Sequence, residues 1–209
     1  IQGAGWKVYP LTAFLSPVDG SNDVAFYLDN VSKRVFSSSD GQTFTAPADF
    51  LATLERYTDP GDGKHYFRLQ YVQTGETLYF CDFSGDWFAN QRGLLRWRTD
   101  RYGTEKISYT YDQTYNNGRL IYATTTQGLL VAHSYILIGP NAGKLASIDV
   151  RAAGSDFYGK RVVYTYNASG SGYTPECGSE GDLIMVRVFE HATGDNPQHI
   201  NGGGYSIHQ

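Results

Sequence analysis

The sequence is poor in charge, methionine and cysteine, and it has no long hydrophobic run. Charged residues make up 18% of the 209 residues and hydrophobic residues 41%, which argues against global disorder and allows a sizeable core. No run approaches the length of a membrane span, and no signal peptide is visible. The chain begins with Ile1 rather than Met, so we expect a cut piece, a processed product or an excised domain.

Only two cysteines are present, and their spacing excludes the usual zinc arrangements. Cys81 and Cys177 are far apart and form no Cys-x-x-Cys pair, so a structural zinc site is disfavoured. The sequence leaves two alternatives open, one disulfide or two buried thiols.

Positive charge is also scarce, which argues mildly against a nucleic-acid partner. The formal net charge is −4, whereas phosphate-backbone binding needs a concentrated basic surface. The densest basic run is formed by Arg92, Arg96, Arg98 and Arg101. On a strand Arg96 and Arg98 share one face and Trp97 takes the other, so a solvated strand face is favoured over a phosphate-binding stripe.

Tyrosine and glycine are abundant, and the hydrophobic pattern has a period of two. The 17 Tyr and 24 Gly suit many short strands joined by tight turns. In KISYTYD, residues Ile107, Tyr109 and Tyr111 alternate with polar residues, as expected for a strand. Further predicted strands are DVAFYLD, HYFRLQYV, TLYFCDF, GLLRWR, LLVAHSYILI, KLASIDV, KRVVYTYN and DLIMVRVF. The segment PADFLATLERY fits a short helix and a strand about equally well.

A Gly-x-Leu motif recurs at a fixed interval. Gly93, Gly118 and Gly143 are spaced 25 residues apart, and Gly181 starts a fourth copy. Each Gly-x-Leu is predicted to open a strand. Tyrosine-bearing segments follow the first three copies, with Tyr109 and Tyr111, then Tyr135, then Tyr164 and Tyr166. A fixed period of this size indicates a stacked array of one unit, here a β-hairpin.

These motifs resemble the YD repeat of the Rhs family, which includes bacterial Rhs proteins, cocoon-forming components of insecticidal toxin complexes, and teneurins. The pattern is met by GLLRWRTDRYGTEKISYTYD and, in weaker form, by GRLIYATTTQGLLVAHSY and by GKLASIDV followed by VVYTYN. Tyr111-Asp112 keeps the Tyr-Asp pair, Tyr166-Asn167 alters it, and Tyr135 is followed by Ile136. Upstream, GWKVYP is similar to the entry of an Rhs shell.

The resemblance implies an all-β fold, a curved antiparallel sheet of consecutive β-hairpins that forms a shell segment, as a partly open barrel or a cocoon wall. It implies one β domain over residues 1–209, with shell-entry hairpins at 5–92, YD-like repeats at 93–190 and an irregular tail at 191–209. The implied role is structural and non-enzymatic, without cofactors, in a secreted or cell-surface parent protein. The implied partners are the rest of that parent and an enclosed C-terminal cargo, and cut sheet edges could pair into dimers.

The alternative function is that of a carbohydrate-binding β domain that uses exposed Tyr and Trp side chains. Trp6, Trp87 and Trp97 are candidates for stacking on sugar rings, although a Trp in a β protein is more often core packing. Asp112 is expected to accept N–H bonds from the Asn116-Asn117-Gly118 turn.

Hydrolytic and metal chemistry find little support in the sequence. Glycoside hydrolysis requires two carboxylates across one cleft, and nothing singles out a pair. The candidates are Asp82, Asp86, Asp100, Asp112, Asp149, Glu180 and Asp182. His191, His199 and His208 lie in the polar tail, but their spacing matches no standard metal site, so no metal is predicted.

Overall fold

The chain folds entirely into β-strands and turns within the residues that the computed structural model describes, which are 13–28, 32–113, 118–155, 157–167, 181–193 and 205–207. These residues contain no helix, and every pairing between named strands with a given register is antiparallel. The fourteen strands are β1 (Phe14–Pro17), β2 (Val24–Tyr27), β3 (Lys33–Phe36), β4 (Ala52–Thr58), β5 (His65–Tyr71), β6 (Thr77–Cys81), β7 (Leu95–Thr99), β8 (Lys106–Tyr111), β9 (Leu120–Thr125), β10 (Leu129–Tyr135), β11 (Leu145–Ala152), β12 (Phe157–Tyr166), β13 (Leu183–Thr193) and β14 (Tyr205–Ile207). The predicted all-β antiparallel class is confirmed.

The chain divides into two compact units, with the division at the start of β9. The N-terminal unit is Lys7–Leu120, and the C-terminal unit contains Ile121–Gln209. The N-terminal unit holds the three-stranded sheet β1-β2-β3 and the strands β4 to β8, which pair in sequence order. In the C-terminal unit β9 to β14 also pair in sequence order. The single domain over 1–209 stays a prediction.

The core of the N-terminal unit lies between its two sheets. Phe26 from β2, Phe67 from β5 and Phe80 from β6 are almost completely buried. The rings of Phe26 and Phe80 meet edge to face with centroids 6.0 Å apart, a favourable aromatic geometry. Alternate residues of β5 and β6 therefore point into this core, as the period-two pattern predicts.

The nine strands predicted from alternation are confirmed, each matching a strand of the structure. On β8, Tyr109 and Tyr111 are buried while Thr110 is exposed, as expected. The segment left open between helix and strand contains β4, whose seven residues pair with β5 from Ala52 to Thr58. Residues 191–193 and 205–207 of the predicted irregular tail are strand residues, because β12 and β13 provide them with backbone partners.

No helix with the length and hydrophobicity of a membrane span is found in the described part of the chain.

Candidate functional site

The four Gly-x-Leu motifs occupy equivalent positions in the structure. Strands β7, β9, β11 and β13 begin at the leucine of each motif, Leu95, Leu120, Leu145 and Leu183. This confirms the prediction that each motif opens a strand. The four glycines all have positive φ, with Gly93 at 78°, Gly118 at 54°, Gly143 at 92° and Gly181 at 89°.

The hairpins at Gly93, Gly143 and Gly181 are closed by the same pair of backbone hydrogen bonds. The glycine N–H donates to the carbonyl of the last residue before the turn. The N–H of that same residue donates to the carbonyl of the middle residue of Gly-x-Leu. For the second of these hairpins, Gly143 donates to Ile136 over 2.7 Å and Ile136 donates to Lys144 over 2.9 Å. The same two bonds join Gly93 and Leu94 to Cys81, and Gly181 and Asp182 to Asn167. At Gly118, Asp112 donates to the Arg119 carbonyl over 2.8 Å.

A β-bulge accompanies each of these three closures, in the same place. An aromatic residue at the end of one strand, or next to its end, lies opposite the leucine that begins the next strand, and the residue after that leucine is skipped. The aromatic and leucine pairs are Phe80 with Leu95, Tyr135 with Leu145, and Tyr166 with Leu183. The skipped residues are Arg96, Ala146 and Ile184. Such bulges increase the local twist of a strand pair. We call this combination of glycine, paired bonds and bulge the hairpin closure.

Two of the repeat tyrosines add a side-chain bond to the closure. The Tyr111 hydroxyl donates to the Leu95 carbonyl over 2.6 Å, and the Tyr166 hydroxyl donates to the Leu145 carbonyl over 2.9 Å. The last tyrosine of each Tyr-x-Tyr thus donates a hydrogen bond to the backbone carbonyl of the leucine that begins the neighbouring strand. Burial raises the pKa of Tyr166, so its hydroxyl keeps its proton and stays a donor at neutral pH.

The remaining repeat tyrosines are packing residues of their strands. Tyr109 is buried, and burial raises the pKa of its hydroxyl. Tyr135 and Tyr164 are half-buried. The expected acceptance of turn N–H groups by the Asp112 carboxylate stays a prediction, because residues 114–117 lie outside the described part of the chain.

A lysine reinforces the last closure, which sequence reasoning missed. The Lys144 ammonium donates to the Gly181 carbonyl and, over 2.9 Å, to Asn141 Oδ1. The Asn141 amide donates to the Asn167 carbonyl over 3.1 Å. Lys144 also lies 5.0 Å from the centre of the Tyr166 ring, within cation–π range. The one hint in the sequence is that Lys144 occupies the middle of a Gly-x-Leu.

The candidate glycan-stacking tryptophans belong to an aromatic cluster in the N-terminal unit. Trp87 and Trp97 are 7% and 8% exposed and pack with Tyr66 and Cys81. The rings of Trp97 and Tyr79 are stacked, with centroids 4.6 Å apart and 18° between their planes.

Cations lie over both indole rings. Lys64 Nζ is 4.3 Å from the Trp87 ring centre, and Lys106 Nζ is 4.6 Å from that of Trp97. The Trp87 indole N–H donates to the His65 carbonyl over 2.8 Å. The geometry of both rings is that of core packing, which leaves little face for a sugar. Trp6 lies outside the described residues.

Several of the candidate carboxylates are engaged in local structure. Asp82 is fully buried, accepts bonds from the Ser84 N–H and hydroxyl over 3.0 and 2.5 Å, and lies 3.5 Å from Arg56. Asp86 lies 2.6 Å from the ring of His65, and the bonds from that histidine lower the pKa of the Asp86 carboxyl.

Two further candidate carboxylates have partners in the fold. Asp149 is buried 3.1 Å from Arg161. Asp100 accepts bonds from the β7–β8 turn. Asp182 takes part in the last closure through its backbone carbonyl, whereas Glu180 lies outside the described residues. Within the described residues, structural roles are therefore assigned to the side chains of Asp82, Asp86, Asp100 and Asp149.

Cys81 is a free, buried thiol, and burial raises its pKa to about 12. Cys177, His199, His208 and the side chain of His191 lie outside what is described. The described residues contain no group of three or more His, Cys, Asp or Glu side chains that could hold a metal ion.

The basic run around β7 is tied to its neighbours. Arg96 donates to the Tyr109 carbonyl over 2.5 Å, and Arg98 donates to Glu76 over 3.1 Å. The Arg101 guanidinium lies 5.8 Å from the Tyr102 ring centre. Three of the four arginines therefore have partners within the fold.

Compared with models of known protein families and with curated proteins, the chain matches none.

Proposed function

We propose that this chain is a non-enzymatic structural module, a segment of an extended antiparallel β-sheet shell of the Rhs/YD-repeat kind. The shell would enclose a cargo or present a binding scaffold at a cell surface. The observation that carries the proposal is the hairpin closure, which recurs with the same glycine conformation, backbone bonds and bulge at Gly93, Gly143 and Gly181.

The repetition matters because binding and catalytic sites are usually few in a protein. A catalytic constellation occurs once and is held by unique residues, whereas a wall needs the same junction at every turn. The bulge adds twist at each closure, and designed sheets use repeated bulges to obtain curvature. A junction of backbone bonds also tolerates sequence change, which accounts for Cys81, Ile136 and Asn167 at one equivalent position.

The contacts of the acidic residues support a role without catalysis. A glycosidase needs one carboxyl group as acid and another as base or nucleophile, both facing the substrate. Asp82 instead caps the Ser84 turn, and Asp149 faces Arg161 in a buried pair. These two carboxylates are thus engaged by the fold.

The carbohydrate-binding reading based on Trp87 and Trp97 is weaker than the structural one. Both rings are buried and contacted by tyrosine and lysine side chains. We therefore expect Trp97→Ala to lower the free energy of unfolding by about 3–5 kcal/mol, as for other large core truncations.

The size of the native gene product tests the proposal. An antibody against this chain should detect, in the host of origin, a protein several times larger than 23.2 kDa. Mass spectrometry of that product should reveal further Gly-x-Leu and Tyr-Asp units on either side. A native product of about 23.2 kDa would contradict the shell.

A further inference from the structure

A cavity opens in the N-terminal unit where the β5–β6 turn lies against the β7–β8 turn. Its volume is about 400 Å³, within the range of roughly 300–1,000 Å³ seen for small-molecule sites. Two hairpin turns and the ends of β7 and β8 form its walls. Its lining includes Glu76, Arg98, Thr99, Asp100, Arg101 and Tyr102.

The two turns are held in fixed positions. Gly75 has a φ of 72°, and a Cβ atom at this position would lie 2.7 Å from Arg101 Cβ, so only glycine lets the turns approach this closely. In the second turn the Asp100 carboxylate accepts the Thr104 N–H and hydroxyl, each over 2.9 Å. The cavity is therefore formed before any ligand binds.

The charges of the lining argue against an anionic ligand. Arg98 donates to Glu76 over 3.1 Å, which neutralises the guanidinium in the cavity. Asp100 and Glu105 add two further carboxylates, against one further guanidinium from Arg101. Burial would raise the pKa of Asp100, but the bonds from Thr104 and Glu105 outweigh it and lower that pKa, so the group stays ionised.

An exposed aromatic ring borders these polar groups. Tyr102 is 77% exposed, whereas Tyr66, Trp87 and Trp97 of the same unit are packed into one buried cluster. An exposed ring presents an apolar face that can stack on another flat apolar face. Carboxylate, guanidinium and hydroxyl groups beside it provide acceptors and donors for a ligand with many hydroxyls.

We propose that this cavity is a binding site for a neutral oligosaccharide. The Tyr102 ring stacks on the C–H face of one sugar, while Glu76, Arg98 and the Thr99 hydroxyl bond to sugar hydroxyls. The site is separate from Trp87 and Trp97, and it does not depend on the shell proposal.

The test is calorimetric titration of the 209-residue chain with a panel of neutral oligosaccharides built from glucose, N-acetylglucosamine, mannose, galactose or xylose. We expect at least one to bind. Tyr102→Ala should weaken that binding about tenfold through lost stacking, and Tyr102→Phe should retain it. Tyr122→Ala is the matched control, because Tyr122 is 39% exposed and lies outside the cavity.

Glu76→Gln tests the polar side of the site independently of the aromatic ring. It removes an acceptor charge and frees Arg98, so the same oligosaccharide should bind more weakly. The unfolding midpoint of each variant establishes that the fold is retained. The proposal is overturned if no panel member binds, or if both Tyr102→Ala and Glu76→Gln bind like the unmodified chain.

Discussion

At the scale of single residues, two of the repeat tyrosines, Tyr111 and Tyr166, act through their hydroxyl groups. Tyr111 reaches the carbonyl of Leu95, and both residues are buried. A buried carbonyl that loses its donor also loses the compensation for its desolvation. The tyrosine is therefore needed for its oxygen as well as for its ring.

Tyr111→Phe should lower the free energy of unfolding by about 1–2 kcal/mol, because it removes one buried hydrogen bond and keeps the ring. Urea denaturation followed by circular dichroism measures the change. Tyr102→Phe is the control and should alter stability by less than about 0.5 kcal/mol, since Tyr102 is 77% exposed. If the two substitutions lowered the free energy of unfolding equally, the Tyr111 hydrogen bond would not stabilise the fold.

His133 gives the C-terminal unit a dependence on pH. The ring is buried, its Nδ1 has no hydrogen-bond partner among the described residues, and burial lowers its pKa against an opposing bond to the Ile121 backbone. The unfolded chain therefore binds a proton near pH 6.5, whereas the folded chain binds it only at lower pH. The resulting stability is present above pH 6.5 and is lost as the pH falls towards the folded pKa.

His133→Gln should reduce this dependence, because the amide can keep a bond to the backbone but does not titrate. Between pH 7.5 and 5.5 the unmodified chain should lose more unfolding free energy than the variant, by up to about 1.4 kcal/mol per pH unit below 6.5. Urea denaturation at both pH values provides the comparison. Identical losses in the two proteins would mean that His133 does not titrate differently on folding.

At the scale of elements, the sequence predicts part of the hairpin closure but not all of it. Alternation predicts the strands, and the Gly-x-Leu spacing predicts where four of them begin. The bulge was not predicted, because a skipped residue such as Ala146 leaves no compositional signal. Phe80 and Cys81 form an equivalent closure without a Tyr-Asp pair, since the junction depends on backbone bonds.

The side-chain sites are harder to predict from sequence, because they depend on packing between segments that are distant in the chain. Glu76 and Tyr102 line one cavity because two turns that are distant in sequence pack together, at Gly75 and Arg101. Trp87 and Trp97 are good stacking residues by type, but their burial depends on neighbours such as Tyr66, which no local pattern reveals.

Gly93 provides the test of the closure. Its φ is 78°, and an added Cβ would overlap the Leu15 carbonyl oxygen. Gly93→Ala should therefore lower the free energy of unfolding by more than about 3 kcal/mol, through a backbone clash added to the conformational cost.

Gly103 is the matched control for that substitution. Its φ is 71°, and an added Cβ would meet nothing within 4 Å. Gly103→Ala should cost only the conformational term, about 1–2 kcal/mol. Chemical denaturation of both variants makes the comparison, and a Gly93→Ala protein as stable as Gly103→Ala would show that Leu15 can move aside at little cost.

At the scale of the whole molecule, charge limits the kinds of partner. The net charge is −4, and Arg96, Arg98 and Arg101 already contact groups of the fold. Freeing these side chains to meet phosphates would break existing contacts, and the remaining positive charge is not concentrated.

We therefore expect no binding of duplex or single-stranded DNA tighter than about 0.1 mM at physiological salt. Fluorescence anisotropy with labelled oligonucleotides measures this. Micromolar binding that weakens with added salt and is lost in Arg92→Ala or Arg101→Ala would instead identify the basic run as a phosphate-binding stripe.

The hairpin closure also has a consequence for how such a chain can change in length over evolution. Gly118 and Gly143 are 25 residues apart and both precede an x-Leu pair. An in-frame deletion of residues 119–143 would join Gly118 to Lys144-Leu145 and recreate the motif at the new junction. A tandem duplication of the same segment would recreate it as well. Recombination between repeats can therefore remove or insert whole hairpins while every remaining strand keeps its inner and outer faces.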